Sequence, residues 1–207
     1  MGKIKKIMSD LNLSWTPIFG QIYTWIAMDK FGHLAFMVNN NWGNIPKVIL
    51  QKENTENELD MINEYIWEES SEFFNYPKNK MGKTKLDMYS HLAYADFLDR
   101  TAVENWVDDR SNYNGELREY SLPAIKGLFV FYAVEGSKPN EDFPVGCNIK
   151  TEMGDYYSFL VPTIYGKIDD FPERLKKIIA VSDSLDFRID KIIKNDQINV
   201  HFTRLAA

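Results

Sequence analysis

Apolar residues change their spacing several times along this chain of 207 residues. "IYTWIAMD" (22–29) and "HLAFMV" (33–38) are near-continuous apolar runs rich in β-branched and aromatic residues. Asp29-Lys30-Phe31-Gly32 separates them, which predicts a hairpin with Gly32 at positive φ. "NNNWGNIP" (39–46) then breaks the pattern with Gly43 and Pro46, as a loop does. "KVIL" (47–50) reads as a short strand or as the lead into a helix. From Glu56 the period becomes helical. At 100° per residue Leu59, Ile62, Ile66 and Phe73 share one side, with Trp67 and Phe74 at its edge. Thr55-x-x-Glu58 predicts a capping box at the start, and Tyr76-Pro77 an end.

"PKNKMGKTK" (77–85) is a basic loop. Residues 86–109 read as mostly helical, with a break near Arg100-Thr101 where Thr101-x-x-Glu104 predicts a second capping box. "RSNYNG" (110–115) is a turn-rich connection. Strands are then expected in "LREYSLP" (117–123), 127–134, 146–152 and 156–163, with Met153-Gly154-Asp155 as a hairpin turn. A short helix is expected in 171–181 with Pro172 in its first turn. A last hairpin is expected from 187–193 and 198–202. Strands, then helices, then strands predict one α+β domain spanning 1–207. Its sheet would be mainly antiparallel, with the helices of the middle section, about 55–109, packed on one face.

Composition does not disturb that picture: 44% hydrophobic and 26% charged residues are ordinary for a globular chain. Charge adds something. The net charge is −6, which argues against an electrostatic grip on nucleic acid. The acidity is local: residues 1–52 sum to +4, residues 53–119 to −9 and residues 120–207 to −1. Cys147, the one cysteine, rules out an internal disulfide or a cysteine metal cluster and fits a reducing compartment. The first fifteen residues are basic without an apolar run, unlike a signal peptide. Lys6 stands where a myristoylation motif needs Ser or Thr. No stretch nears the roughly 20 apolar residues of a membrane span. The expectation is a cytoplasmic protein.

Catalytic signatures are missing: there is no HExxH, no GxSxG and no phosphate-binding loop. His33 falls at the start of a hairpin strand and His201 in the last strand, neither with a partner at metal-ligand spacing. His91 precedes Asp96 and Asp99 on a predicted helix, where a surface or core histidine is the plainer reading. Di-iron carboxylate bundles need Glu-x-x-His motifs that this chain lacks. Cys147 has no activating base nearby in sequence and reads as a small buried hydrophobe. No enzyme, cofactor or metal is expected.

The unusual feature is the acidic helix. Asp60, Glu64, Glu68 and Glu72 recur every four residues, a spacing at which like charges repel by roughly 0.2–0.5 kcal/mol per pair. No Lys or Arg lies within 53–75 to offset them. A solvated face is the plain reading. Met61 and Tyr65, however, fall on the acidic side of the wheel, and Met and aromatics are enriched at interfaces. Asp60, Met61, Glu64, Tyr65, Glu68 and Glu72 are therefore candidate contacts for a basic protein. Asp108, Asp109 and Trp42, in the "NNNWGN" loop, are the next candidates.

The segment "WIAMDKFGHLAFMVNNNWGNIP" (25–46) has a strand, an Asp-x-x-Gly turn, an apolar strand and a Gly/Pro loop. It resembles the opening hairpin of small bacterial proteins found beside polymorphic toxins, some of them immunity proteins of contact-dependent growth inhibition systems. The likeness covers about 22 of the 207 residues. It implies a cytoplasmic, non-enzymatic antitoxin that binds one basic toxin domain, a nuclease above all, since nucleases grip phosphate backbones. Two other readings stand beside it: a component of another bacterial complex or regulatory interaction module, and a small-molecule enzyme working through scattered Asp and His residues.

Overall fold

The computed structural model describes residues 11–73, 82–112 and 120–207. Strands β1 (Thr24–Met28) and β2 (Leu34–Val38) form the expected antiparallel hairpin. Gly32 sits at φ 82° in its turn. Asp29 clamps that turn: its Oδ1 accepts the Phe31 and His33 N–H groups at 2.9 and 2.8 Å. The 47–50 run forms a one-turn helix, α1 (Lys47–Leu50), and α2 spans Thr55–Trp67.

The second half of the predicted helical section is only partly helical. Residues 86–99 contribute the ends of β3 (Thr84–Leu86) and β4 (Tyr89–Ser90), followed by turns. Helix α3 (Arg100–Asn112) starts at the expected break. Thr101 is not its cap; Asp99 is, its Oδ1 accepting the Ala102 N–H at 2.9 Å. Residues 121–123, the end of a predicted strand, instead open a short helix, α4 (Ser121–Ile125). The stretches 74–81 and 113–119 lie outside the described residues, and with them the expected end of the acidic helix at Tyr76-Pro77.

Strands β5 (Phe129–Ala133) and β7 (Tyr156–Pro162) match the apolar runs that predict them. Residues 146–152 do not form a strand; only the two residues of β6 (Pro144–Val145) pair, with β4. The turn at Gly154 therefore joins no hairpin. Helix α5 (Glu173–Lys176) follows Pro172 and leads into β8 (Ala180–Ser182). The expected last hairpin is replaced by β9 (Ile192–Ile193), a one-turn helix α6 (Ile198–His201) and β10 (Phe202–Leu205). β9 pairs with β7 and β10 with β8, so the two find separate partners.

The main sheet runs β10-β8-β1-β2-β5-β7-β3, with β9 added beside β7. Among the described strands only β1–β8 and β2–β5 are parallel pairs. The fold is α+β with a mostly antiparallel mixed sheet. Residues paired across strands point to one side. Ile26, Phe36 and Val130 are in register, and Phe36 meets Trp67 of α2 edge-on at 5.8 Å. On the same face Tyr132 stacks on Phe159, and Tyr120 links Phe159 to Trp106 of α3. Thus α2 and α3 cover one face. The other face carries Trp25, Met37 and Phe131 in register. An irregular segment seals it by placing Phe187 at 5.4 Å from Phe131. With both faces covered, the central strands are buried along nearly their whole length.

Candidate functional site

Helix α2 keeps its predicted apolar side: Leu59, Ile62 and Ile66 are buried, and Phe73 is buried beyond its end. Its ends differ from the motif. Thr55 does not cap; its hydroxyl donates to the carbonyls of Ile49 and Lys52. Asn54 at φ 60° precedes the helix, and Glu68 at φ 55° ends it in the left-handed region. The four-residue stripe is therefore cut after Glu64. Glu56, Asp60 and Glu64 stay in line, within an 80° arc at 100° per residue. Asp60 is exposed and the other two half-buried. Among the described residues none of the three joins an ion pair.

Four of the candidate residues have partners within the fold. Tyr65 is fully buried, 4.7 Å from Phe171 and 5.8 Å from Phe73, with Lys126 4.8 Å over its ring. The cause is packing: α4 and α5 flank α2 and widen its buried arc. Glu68 turns inward, and its Oε1 accepts from Lys126 Nζ at 2.8 Å; both side chains are over nine-tenths buried. Glu72 pairs with Arg174 at 2.9 Å, an exposed pair, and Met61 is half-buried with its sulfur accepting from the same Arg174. Two cations distant in sequence thus answer the carboxylates that have no local counter-charge.

Asp108 and Asp109 are exposed on α3, which packs beside β3. Four strand spacings of about 4.8 Å separate β3 from β1, under α2, or roughly 19 Å. These aspartates and the α2 carboxylates are two patches, not one. Trp42 is half-buried in the loop after β2, its carbonyl accepting from Asn195 Nδ2. His91 is exposed in a turn rather than on a helix and stacks on Phe143 at 4.5 Å.

The spacing of residues does not single out His33, yet it joins a cluster of polar groups with Asp29 and Asp186. The buried Asp29 accepts His33 Nδ1 at 2.9 Å and the Phe187 N–H at 3.0 Å through Oδ2. A carboxylate only accepts, so Nδ1 carries the proton and Nε2 keeps its lone pair in the neutral ring. Tyr165 meets the ring edge-on at 4.7 Å. Asp186 lies close by and is forked by Arg188 at 2.9 and 2.8 Å, which holds its carboxyl down to about 2. Asp29, His33 and Asp186 could each offer a metal ligand atom, all within 4.8 Å of one another. Their carboxylates are already occupied by N–H donors, four on Asp29, so the group works as a clasp between the hairpin turn and the 186–188 segment. The Asp29–His33 pairing, four residues apart, is missed by a search for metal-ligand spacing, and Asp186 lies over 150 residues away in the chain. In the neighbouring loop Ser184 Oγ lies 2.9 Å from His201 Nδ1, whose ring burial holds below the ordinary histidine pKa.

No family model matches the chain, and comparison with curated proteins and with solved structures gave no match. Among the described residues no helix is long and apolar enough to cross a membrane.

Proposed function

We propose that this chain is a cytoplasmic immunity protein that blocks a basic toxin domain, a nuclease being the best fit, through the outer face of α2. One observation carries the reading: among the described residues Glu56, Asp60 and Glu64 stand in line without an ion-pair partner, while Glu68 and Glu72 are paired within the fold. Like charges left unpaired at helical spacing destabilise the helix slightly. A basic partner removes that repulsion on binding. A negative face also speeds capture of a basic protein and competes with its nucleic acid. The contact set is thus narrower than the stripe: Glu56, Asp60 and Glu64 at its centre, with Met61 at its edge.

The test is binding kinetics against a candidate basic toxin domain. Changing Glu56, Asp60 and Glu64 together to Lys should slow association roughly tenfold or more at low salt. The difference should narrow at high salt as the Debye length shortens. Glu72→Lys should matter far less, because that carboxylate faces Arg174. Wild-type association by the folded triple variant would exclude this face.

A further inference from the structure

The open end of the β1–β2 hairpin carries a pinned apolar turn. Residues 15–23 form no helix or strand, yet hydrogen bonds hold them from several sides. The Gln21 N–H donates to the Ile18 carbonyl at 3.2 Å, closing a turn over Phe19 and Gly20. Gly20, at its third position, has φ 88°. The "NNN" stretch (39–41) anchors the turn. Asn41 Oδ1 accepts the Gly20 N–H at 2.8 Å, and Asn39 Oδ1 accepts the Tyr23 N–H at 2.7 Å. The Asn39 N–H donates to the Tyr23 carbonyl at 3.0 Å, and Trp15 Nε1 donates to Gln21 Oε1 at 3.3 Å. So held, the turn still gives its apolar side chains to solvent: Phe19 is 79% exposed, Ile22 60% and Ile18 55%. Single exposed hydrophobics need no explanation, but three within five residues on a pinned backbone do.

The turn lies beside the acidic row. Thr24 Oγ1 donates to Asn63 Oδ1 of α2. One turn further along α2, Trp67 meets Phe36, the register partner of Ile26. Helix and strand thus run the same way, and the residues of α2 before Asn63 lie towards the residues before Thr24. Asp60 and Glu56 are one and two turns before Asn63, both within about 60° of it around the axis. Ile22 is two residues, about 7 Å, before Thr24. The carboxylates and the apolar turn therefore share one end of the sheet.

We infer that the 18–22 turn is the apolar anchor of the interface proposed for α2: Phe19 and Ile22 enter an apolar pocket of the basic toxin domain, whose surrounding cations meet Glu56, Asp60 and Glu64. This anchor rests on the α2 reading. Charge selects the occupant. The carboxylate row repels an anionic bilayer, and a symmetric second copy would bring the same carboxylates together. A basic protein is attracted by them. Burying Phe19 and Ile22 takes apolar area out of water, and the fixed backbone leaves little ordering entropy to oppose it. Charge then sets the approach, and the anchor sets how long the complex lasts.

The experiment measures association and dissociation of the full chain against a panel of basic toxin domains, with the domain that wild type binds as the probe. Phe19→Ala and Ile22→Ala should each leave association within about twofold of wild type and raise dissociation roughly tenfold or more. Unchanged dissociation in both, beside slowed association in the variant with Glu56, Asp60 and Glu64 changed to Lys, overturns the anchor and leaves the α2 reading standing. No effect from either set overturns both, as does a panel without a binder. Urea midpoints of Phe19→Ala and Ile22→Ala should match wild type; a clear fall shows that the side chains pack within the chain and overturns the proposal. Sedimentation with phosphatidylglycerol vesicles, and of the concentrated chain alone, should show no binding that Phe19→Ala abolishes. Either kind makes the bilayer or a second copy the occupant and overturns the proposal.

Discussion

Two glycines show how differently one backbone angle can matter. Gly32 has φ 82° and Gly127 φ 75°, both in the left-handed region. A Cβ on Gly32 would meet nothing within 4 Å, whereas on Gly127 it would fall 2.0 Å from the Gly166 nitrogen. Gly32→Ala should therefore cost only the backbone term, roughly 1–2 kcal/mol in urea denaturation. Gly127→Ala should cost well beyond that or prevent folding, because backbone must move. Asp186 supports a pH test. Arg188 holds its carboxyl near 2 against an ordinary 3.8, so it binds fewer protons folded than unfolded. Its stabilisation is present above about pH 4 and is lost as pH falls towards 2. Urea midpoints of Asp186→Asn and wild type should thus differ most at neutral pH and converge in acid; a gap that stays constant down to pH 2.5 would refute the assignment. Tyr65 teaches another lesson at this scale. Its angle on the helical wheel was right, but an angle does not reveal that α4 and α5 stand beside the helix.

At the level of elements, the sequence was readable where a residue answers to its neighbours in the chain. The β1–β2 hairpin follows from Asp29 and Gly32, β5 and β7 from apolar runs, and the inner side of α2 from its 3.6-residue period. Legibility stopped where a distant group decided. Helix α2 ends at Trp67 because Glu68 takes a left-handed conformation and reaches Lys126, 58 residues away. Residues 86–99 carry apolar residues enough for a helix, yet Tyr89 and Ser90 pair with Val145 and Pro144. The Ser90 hydroxyl also donates to buried Asp142. Residues 146–152 look strand-like, but no neighbouring strand offers them a ladder. The Glu68–Lys126 pair makes the point measurable. A solvated Glu68 would be replaceable at little cost. As a buried pair, Glu68→Ala should destabilise by roughly 3–5 kcal/mol, because it strips a buried ammonium of its carboxylate. Adding Lys126→Met should cost less than the sum of the single changes, and strict additivity in that double-mutant cycle would rule out the coupling.

For the whole molecule, the acidic middle third is less one-sided than its composition implies. Among the described residues, Lys126 and Arg174 from the last third answer Glu68 and Glu72, and Lys191 answers Asp87. The arrangement of strands also has a consequence in time. β1, with Trp25, Ile26 and Ala27 fully buried, lies between β2 and β8. β2 follows within a few residues, but the β8 contact, Ala27 against Ala180, waits for about 150 residues more. At a synthesis rate of about 5–20 residues per second, that edge stays open for roughly 8–30 s on the ribosome. An unpaired apolar strand edge is a template for aggregation. Fragments ending before residue 180 should therefore sediment as aggregates where the full chain stays dispersed, and a monodisperse 1–170 fragment would refute this. While it is being made, the nascent chain is a client for whatever shields exposed strands near the tunnel exit, and faster translation would shorten that dependence.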